Sequence, residues 1–464
     1  MFTRNRNGEP PEVTETVLPA MTFAVHLSRT LRLAAPMIVA RAGLLVMAAV
    51  DTAMIGHYGT LDLAFYAASN ALQIVMILVG VGLLQGTVVL VAQAHGAGAA
   101  RDCGGYWRVS LLHGAALGLL MAGICFLGEP LLLAVGQTEE LAAGGGDVLR
   151  MISWGLPPMA MWVATSFFLE GLSRPMPVMV LMLMAVIGNA GLNMIFIYGH
   201  LGAPEMGAEG AAIATSIIRW VMFAALTLYV LGLEDRGVLG IGGAIRDFRK
   251  TAGKLLRIGI PMGAARGMEA GAFSALTMFA GLLGTVHLAG YQIAFNMVAL
   301  VFMSAIGVAG ASTIRIANAV GRHNAADIRR AGWSALTLIF LIMAGFAGLF
   351  FFVGIQLVEI YSDDGAVIAV AVPLMFIAGL VLIFDGWQAV LMGALRGMAD
   401  VWVPPLWQFL SWWGITVTGA YLLAFEAGLA TAGLMWGFLA GAIVSSAGLL
   451  IRFILMSRRP VQRF

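Results

Sequence analysis

The chain has 464 residues, 60% of them hydrophobic and 11% charged, with a mean hydropathy of +0.92 and a net charge of +2. Soluble chains carry roughly 45–50% apolar and about 25% charged residues. This composition therefore excludes an ordinary soluble enzyme and a disordered chain, and the near-neutral balance leaves no electrostatic footprint for nucleic acid.

Residues 1 to about 26 are polar, with Arg4, Arg6, Glu9, Glu12 and Glu15. They lack the apolar stretch and small-residue cleavage site of a signal peptide, so the first span is expected to act as the membrane signal. Long apolar runs then follow at about 33–56, 66–92, 109–134, 150–171, 177–199 and 209–232. After a basic stretch at 233–257 come six more, at about 258–281, 290–316, 332–360, 367–396, 403–424 and 428–456. A spanning helix needs roughly 20 apolar residues, and these runs do not alternate as barrel strands would. The expected fold is an all-α integral membrane protein with twelve transmembrane helices in two pseudo-symmetric six-helix bundles. The expected division is a cytoplasmic N-terminal segment (1–32), an N-lobe (33–232), a cytoplasmic linker (233–257), a C-lobe (258–456) and a cytoplasmic tail (457–464).

The two bundles are related by a repeat. Pro36-Met37 recurs as Pro261-Met262, an offset of 225 residues, and at that offset Arg41 meets Arg266, Tyr66 meets Tyr291, Gly82 meets Gly307, Gly96 meets Gly321 and Asp102 meets Asp327. An even number of helices per copy makes both copies cross in the same direction, as in parallel transporter repeats. Two such bundles facing each other suit alternating access.

Loop charges set the orientation. One side carries Arg101, Arg108, Arg174, Arg236, Arg246, Arg249, Lys250, Lys254, Arg257, Arg322, Arg329, Arg330, Arg396, Arg458, Arg459 and Arg463. The other carries Asp62, Glu129, Glu139, Glu140, Asp147, Glu205, Glu209, Glu359, Asp363, Asp364 and Glu426, with Arg150 at a span edge. The positive-inside rule then places both termini in the cytoplasm. The pair Asp363-Asp364 lacks the second acidic cluster of a metal-dependent prenyl transferase. Cys103 and Cys125 form neither a disulfide framework nor a metal-ligand set.

A charge near the bilayer centre costs at least ~2.5–3.5 kcal/mol. Three acids lie well inside predicted spans: Asp51 in the first, Glu269 in the seventh and Asp385 in the tenth. Glu170 and Glu426 lie near span ends, within reach of water. The three interior acids either bind a coupling proton or metal cation, or remain as neutral or arginine-paired structural groups. Asn189 and Asn193, spaced i,i+4, share one helix face and either complete an oxygen-rich shell with Asp51 or bind helices together. Gln388 follows Asp385 by three residues. Glu269 and Asp385 would repel each other where they converge, and oxygen clusters of this kind suit hard cations, so Na+ is a candidate there. Arg266 precedes Glu269 by one turn, and a pair between them would keep Glu269 ionised. Arg41 and Arg266 either contact an anionic group in the cavity or snorkel to the headgroups. The 28 methionines serve as core filler or a pliable pocket. The tryptophans Trp387, Trp402, Trp407, Trp412 and Trp413 read as interface anchors.

Across residues 30 to about 425 these features resemble the MATE (multidrug and toxic compound extrusion) family, its NorM branch in particular. The resemblance is carried by Leu33-Ala34-Ala35-Pro36 with Val50-Asp51-Thr52-Ala53-Met54-Ile55-Gly56, by Ala92-Gln93-Ala94-His95-Gly96, and by Asn189 to Asn193 leading into Ile195-Phe196-Ile197-Tyr198-Gly199. In the second half it rests on Gly259-Ile260-Pro261 with Glu269, Tyr291-Gln292-Ile293-Ala294-Phe295-Asn296, Ser312-Thr313-Ile314-Arg315, and Asp385 before Leu395-Arg396-Gly397. The resemblance implies export of cationic or amphipathic organic compounds in exchange for Na+ or H+. It matches Asp51, Asn189 and Asn193 to an N-lobe site, and Glu269 and Asp385 to a C-lobe cation site. Val381 stands where an aromatic residue is expected. The expectation is a monomeric, non-enzymatic multidrug antiporter of the cell inner membrane, in contact with lipid and with no cofactor beyond its coupling ion. A lipid-linked oligosaccharide flippase, which would use Arg41 and Arg266 on a pyrophosphate, is the alternative. A membrane-embedded enzyme and a channel rank behind it.

Overall fold

A computed structural model describes residues 23–245 and 247–459. The charged N-terminal residues before 23, Arg246 and the tail from 460 lie outside the described residues. Among those described, every regular element is helical. In chain order they are α1 (Phe23–Tyr58), α2 (Thr60–Leu84) and α3 (Gly86–Gly96), α4 (Ala100–Phe126), α5 (Gly128–Ala134), α6 (Glu139–Ser153) and α7 (Leu156–Gly171), α8 (Met176–Phe196) and α9 (Gly207–Leu231). The second half holds α10 (Phe248–Leu282), α11 (Thr285–Gly321), α12 (Ala325–Glu359), α13 (Gly365–Gly397), α14 (Val403–Phe409), α15 (Thr418–Tyr421) and α16 (Ala430–Ser457).

Nine helical segments among the described residues are long and apolar enough to cross a membrane, and the α6–α7 pair, bent by 49°, makes a tenth. The other two predicted spans are also helical. In α10 the apolar content is diluted by Arg249, Lys250, Lys254, Arg257, Arg266 and Glu269. The path from α14 through α15 is interrupted by the π-helical stretches Leu410–Val417 and Leu422–Glu426. The helices overrun the predicted spans because a helix does not stop where the lipid does. Thus α1 is already helical at Phe23 and α10 at Phe248, ten residues before the apolar runs at 33 and 258. Both extensions are amphipathic and bury residues such as His26, Thr30, Ala252 and Leu255.

The repeat survives at the level of elements. Thr60–Gly96 and Thr285–Gly321 match at both ends at the offset of 225. Pro36 and Pro261 sit inside α1 and α10, where each removes one helical hydrogen bond. The repeated glycines explain themselves at the contact between the halves. A Cβ on Gly82 would stand 2.6 Å from Gly263 Cα, and one on Gly307 2.9 Å from the Ile38 nitrogen. Residues 263 and 38 are themselves repeat mates. Likewise a Cβ on Gly96 would stand 2.7 Å from Asn318 Cα, and one on Gly321 2.8 Å from the Ala97 nitrogen. Small residues let helix backbones approach this closely in membranes.

Polar contacts reinforce the same seam. Arg315 on α11 donates from Nη1 to the His26 carbonyl at 2.7 Å, to Thr30 Oγ1 and to Ser334 Oγ at 3.2 Å, and its Nη2 meets His26 Nδ1 at 2.6 Å. Gln93 Nε2 donates to the Gly397 carbonyl at 3.2 Å. All of these contacts lie between the middle of the helices and the end at which the described chain begins. Caps close several helices: Asn324 and Asp364 accept from Asp327 N at 3.0 Å and Ala366 N at 2.8 Å. The acidic pair 363–364 thus contributes a helix cap. Arg150 bridges Glu129 at 3.0 Å and Asp147 at 2.7 Å, which accounts for a lone basic residue on the acidic side.

Candidate cation-coupling sites in the two lobes

In the N-lobe three helices deliver one polar cluster. The buried stripe of α1 runs Met47, Asp51, Ile55 at intervals of four, so Asp51 faces inward with the apolar side chains and is 3% exposed. The stripe of α8 runs Met182, Ala185, Asn189, Asn193, and both amides are fully buried. Asn193 Nδ2 donates to Asp51 Oδ1 at 2.6 Å, and Thr215 Oγ1 on α9 donates to Asp51 Oδ2 at 3.3 Å. Asn189 Nδ2 donates to Thr215 Oγ1 at 3.3 Å, while Asn193 Oδ1 has no partner. Asn193 and Thr215 thus meet Asp51 directly and Asn189 meets it through Thr215, and the Asn193 nitrogen, not its oxygen, is turned to the carboxylate. An ionised carboxylate is an acceptor only and takes donors. Tyr198 Oη donates to the Met54 carbonyl at 2.8 Å and ties the chain after α8 to α1 next to this cluster.

In the C-lobe Glu269 lies on the buried stripe Ala265, Glu269, Ala272, Leu276 of α10. Arg266 Nη1 donates to its Oε2 at 2.7 Å, so the pair foreseen from their i,i+3 spacing forms. Asp385 on α13 is 2% exposed and lies within electrostatic reach of both Glu269 and Arg266. It makes no hydrogen bond among the described residues, and its Oδ1 is buried without a partner. One turn on, Gln388 is also 2% exposed, and its Oε1 is likewise unpartnered. Two buried acceptor oxygens without donors fit a hard cation or a proton. Next to Glu269 opens a narrow cleft lined by Ala265, Met268, Pro405, Gln408, Phe409 and Trp412.

Several residues stand elsewhere than their sequence setting suggested. Arg41 neither snorkels nor stands free: its Nη2 meets Glu170 Oε1 at 3.2 Å, and its guanidinium lies 5.7 Å from the Phe167 ring centre. Glu170 is not within reach of water but 3% exposed, because α7 packs against α3 and α4 and its carboxylate meets Arg41. Trp412 is 2% exposed and packs on Phe273 and Phe438, and Trp387 Nε1 is buried. Trp412 is a core residue and Trp387 is half-buried against the core, while Trp402, Trp407 and Trp413 are exposed. Sequence reasoning passed over Thr215, an ordinary small residue in a span. It also passed over Arg219, a charge in the middle of the run 209–232 that its own rule should have caught. Among the described residues no group of three or more His, Cys, Asp or Glu side chains is placed to hold a metal ion.

Comparison with known proteins bears on the family and the fold. The family model MatE matches residues 36–199 and 261–422, one segment in each half. A protein of Caulobacter vibrioides named probable multidrug resistance protein NorM is 32% identical over 442 residues, 95% of this chain and 93% of its own length. A protein of the same name from Rhodopseudomonas palustris is 33% identical over 447 residues, 95% of this chain and 94% of its own. Among solved structures, the eukaryotic MATE transporter AtDTX14 superposes with a TM-score of 0.85 at 20% identity, covering 94% of this chain and 98% of its own. The Vibrio cholerae MATE transporter VcmN, in its bent form, gives the same TM-score, identity and coverage.

Proposed function

The chain belongs to the MatE family of membrane transporters, and on that premise we propose that it exports cationic or amphipathic organic compounds by alternating access, in exchange for Na+ or H+. The observation that carries this reading is Asp385, a buried carboxylate with neither a donor nor a bound arginine, beside the unpartnered Gln388 oxygen. An intramembrane acid is costly unless something visits it. A cation entering beside Glu269 reaches Asp385 and relieves that cost. The Arg266–Glu269 pair balances its own charge, which leaves Asp385 as the group whose charge changes on occupancy. Substrate and cation need only favour different lobe arrangements, because a ligand shifts an equilibrium by its differential affinity alone.

The relatives named for multidrug resistance support the substrate class. Basic loops on the side of the termini support a cytoplasmic placement of both, in the cell inner membrane. The transporter acts as a single chain surrounded by lipid, with no nucleic acid partner and no cofactor beyond the coupling ion. The flippase alternative loses its residues, since Arg41 and Arg266 are engaged by Glu170 and Glu269.

The test is efflux of a fluorescent organic cation from proteoliposomes under an imposed pH gradient or an imposed sodium gradient. Asp385→Asn and Glu269→Gln each lower gradient-driven efflux by at least about tenfold, the factor that 1.4 kcal/mol represents, while membrane insertion is retained. Undiminished efflux in both variants rejects the reading.

A further inference from the structure

The export reading leaves one titratable contact between the lobes without a role. His26 and Thr30 are buried on the extension of α1, the first helix of the N-lobe. They meet Arg315 on α11 and Ser334 on α12, both in the C-lobe. Three acceptors fix the guanidinium: Nη1 donates to the His26 carbonyl at 2.7 Å, to Ser334 Oγ at 3.2 Å and to Thr30 Oγ1. Its Nη2 is thereby aimed at His26 Nδ1, 2.6 Å away. A guanidinium only donates, so Nδ1 is the accepting nitrogen of a neutral ring. A proton on that nitrogen removes the bond and sets two cations side by side. Asp327 on α12 comes within 3.7 Å of Nδ1, but its other oxygen is held by Arg322. Arg29 on α1 and Arg330 on α12 complete the charged groups that face the ring. A protonated ring would thus stand among three guanidinia and one acid that is already paired.

We propose that His26 and Arg315 form a latch between the lobes that protonation of the imidazole releases, so that acid on this side favours separation of the lobes at this end. That this side is the cytoplasm rests on the export reading; the latch itself does not. The device is local to one flank of the seam. At the repeat offset of 225, His26 corresponds to Thr251, Thr30 to Leu255, Arg315 to Leu90 and Ser334 to Val109, none of which titrates. The closed arrangement excludes the proton, whereas the ring freed into water takes it at the ordinary imidazole value of about 6.5. The latch is therefore intact above that value and is lost as pH falls through it. One pH unit below, separated arrangements gain about tenfold over closed ones.

The experiment measures distances between spin labels at Ser28→Cys on α1 and Arg458→Cys after α16, both exposed positions, in the full chain in lipid nanodiscs. It compares pH values of about 8 and about 5.5, on either side of the imidazole range. With His26 present, the ratio of longer to shorter distances is expected to rise about tenfold on acidification. His26→Gln keeps an acceptor for Arg315 but takes no proton, and is expected to lack that rise. The intramembrane acids are the same in both proteins, so their titration cancels in the comparison. His26→Lys, charged at both pH values, is expected to show the longer distances at both. In Arg315→Leu, adding His26→Gln is expected to change nothing further. An equal response to acid with and without His26→Gln, at an unchanged thermal unfolding midpoint, overturns the proposal, as does a distribution that acid does not alter. A His26→Gln protein that fails this folding check is replaced by His26→Asn, to which the same outcomes apply. Failure of the export reading shows separately, as absence of gradient-driven efflux in the wild-type chain.

Discussion

Arg41 and Glu170 show what a single buried pair is worth in this interior. The carboxylate is 3% exposed and its ionic partner is one guanidinium at 3.2 Å. Removing one partner of a buried pair costs about 3–5 kcal/mol because the other charge is left uncompensated, whereas replacing both with apolar groups is often neutral. Arg41→Leu is therefore expected to lower the thermal unfolding midpoint in detergent markedly, and Arg41→Leu with Glu170→Leu to recover most of the loss. If the double variant is no more stable than the single one, the pair is not a closed unit. At this scale the sequence was legible where spacing and charge coincided. Asn189 with Asn193, and Arg266 with Glu269, could be foreseen because i,i+4 and i,i+3 spacing determines which side chains share a face, while the approach of Asp51 to the two amides was one of two readings that their polarity left open. Glu170 could not, because its burial depends on the packing of α7 and on a neighbour 129 residues away. The amide orientation at Asn193 was equally hidden, since it depends on which hydrogen-bonding groups surround Asp51 and not on residue type.

Helices meet across the seam through backbone, and this makes the repeated glycines sensitive to volume. At Gly82 an added Cβ would lie 2.6 Å from Gly263 Cα and 2.7 Å from the Met262 carbonyl oxygen, main-chain atoms that cannot swing aside. Overpacking costs typically about 1–3 kcal/mol, here charged only to the arrangement in which α2 touches α10. Gly82→Leu is expected to shift the lobes toward arrangements separated at this seam by roughly tenfold. Distance measurements between spin labels on α2 and α10 should show a longer-distance population absent from the wild type. A distance distribution unchanged by Gly82→Leu would mean that the seam does not separate. Arg315→Ala should act in the same direction, since it removes four contacts that bind α1 to α11 and α12. The positions of the helices were readable from apolar runs, and the glycine pairs from the offset of 225. Helix ends were not, because the extensions of α1 and α10 are held by tertiary burial of amphipathic turns. Nor were the π-helical stretches around α15, which carry no compositional mark.

For the whole molecule the decisive property is sidedness, and the wild-type cysteines cannot report it. Cys103 and Cys125 are 0% and 1% exposed, so resistance to an impermeant thiol reagent would reflect burial and not compartment. That same burial makes them a silent background for introduced cysteines. Gln137, between α5 and α6, and Glu234, after α9, are exposed and lie at opposite ends of the bundle by helix parity. The loop at Glu234 is anchored by Arg174, whose guanidinium donates to both oxygens of Asp235 at 3.1 and 2.7 Å. This pairing holds the Asp235 carboxyl below its ordinary range. Its stabilising contribution is thus present above that range and is lost only as pH falls through the lowered value, so the loop stays docked throughout neutral labelling conditions. With basic loops retained inside, Gln137→Cys should react fully with an impermeant maleimide added to intact cells. Glu234→Cys should react only after permeabilisation. The reverse pattern would invert the direction of transport, because the seam that joins the lobes lies toward the Glu234 end. The side open to incoming cations would then be the cytoplasm, and exchange driven by an inward gradient would import its substrates.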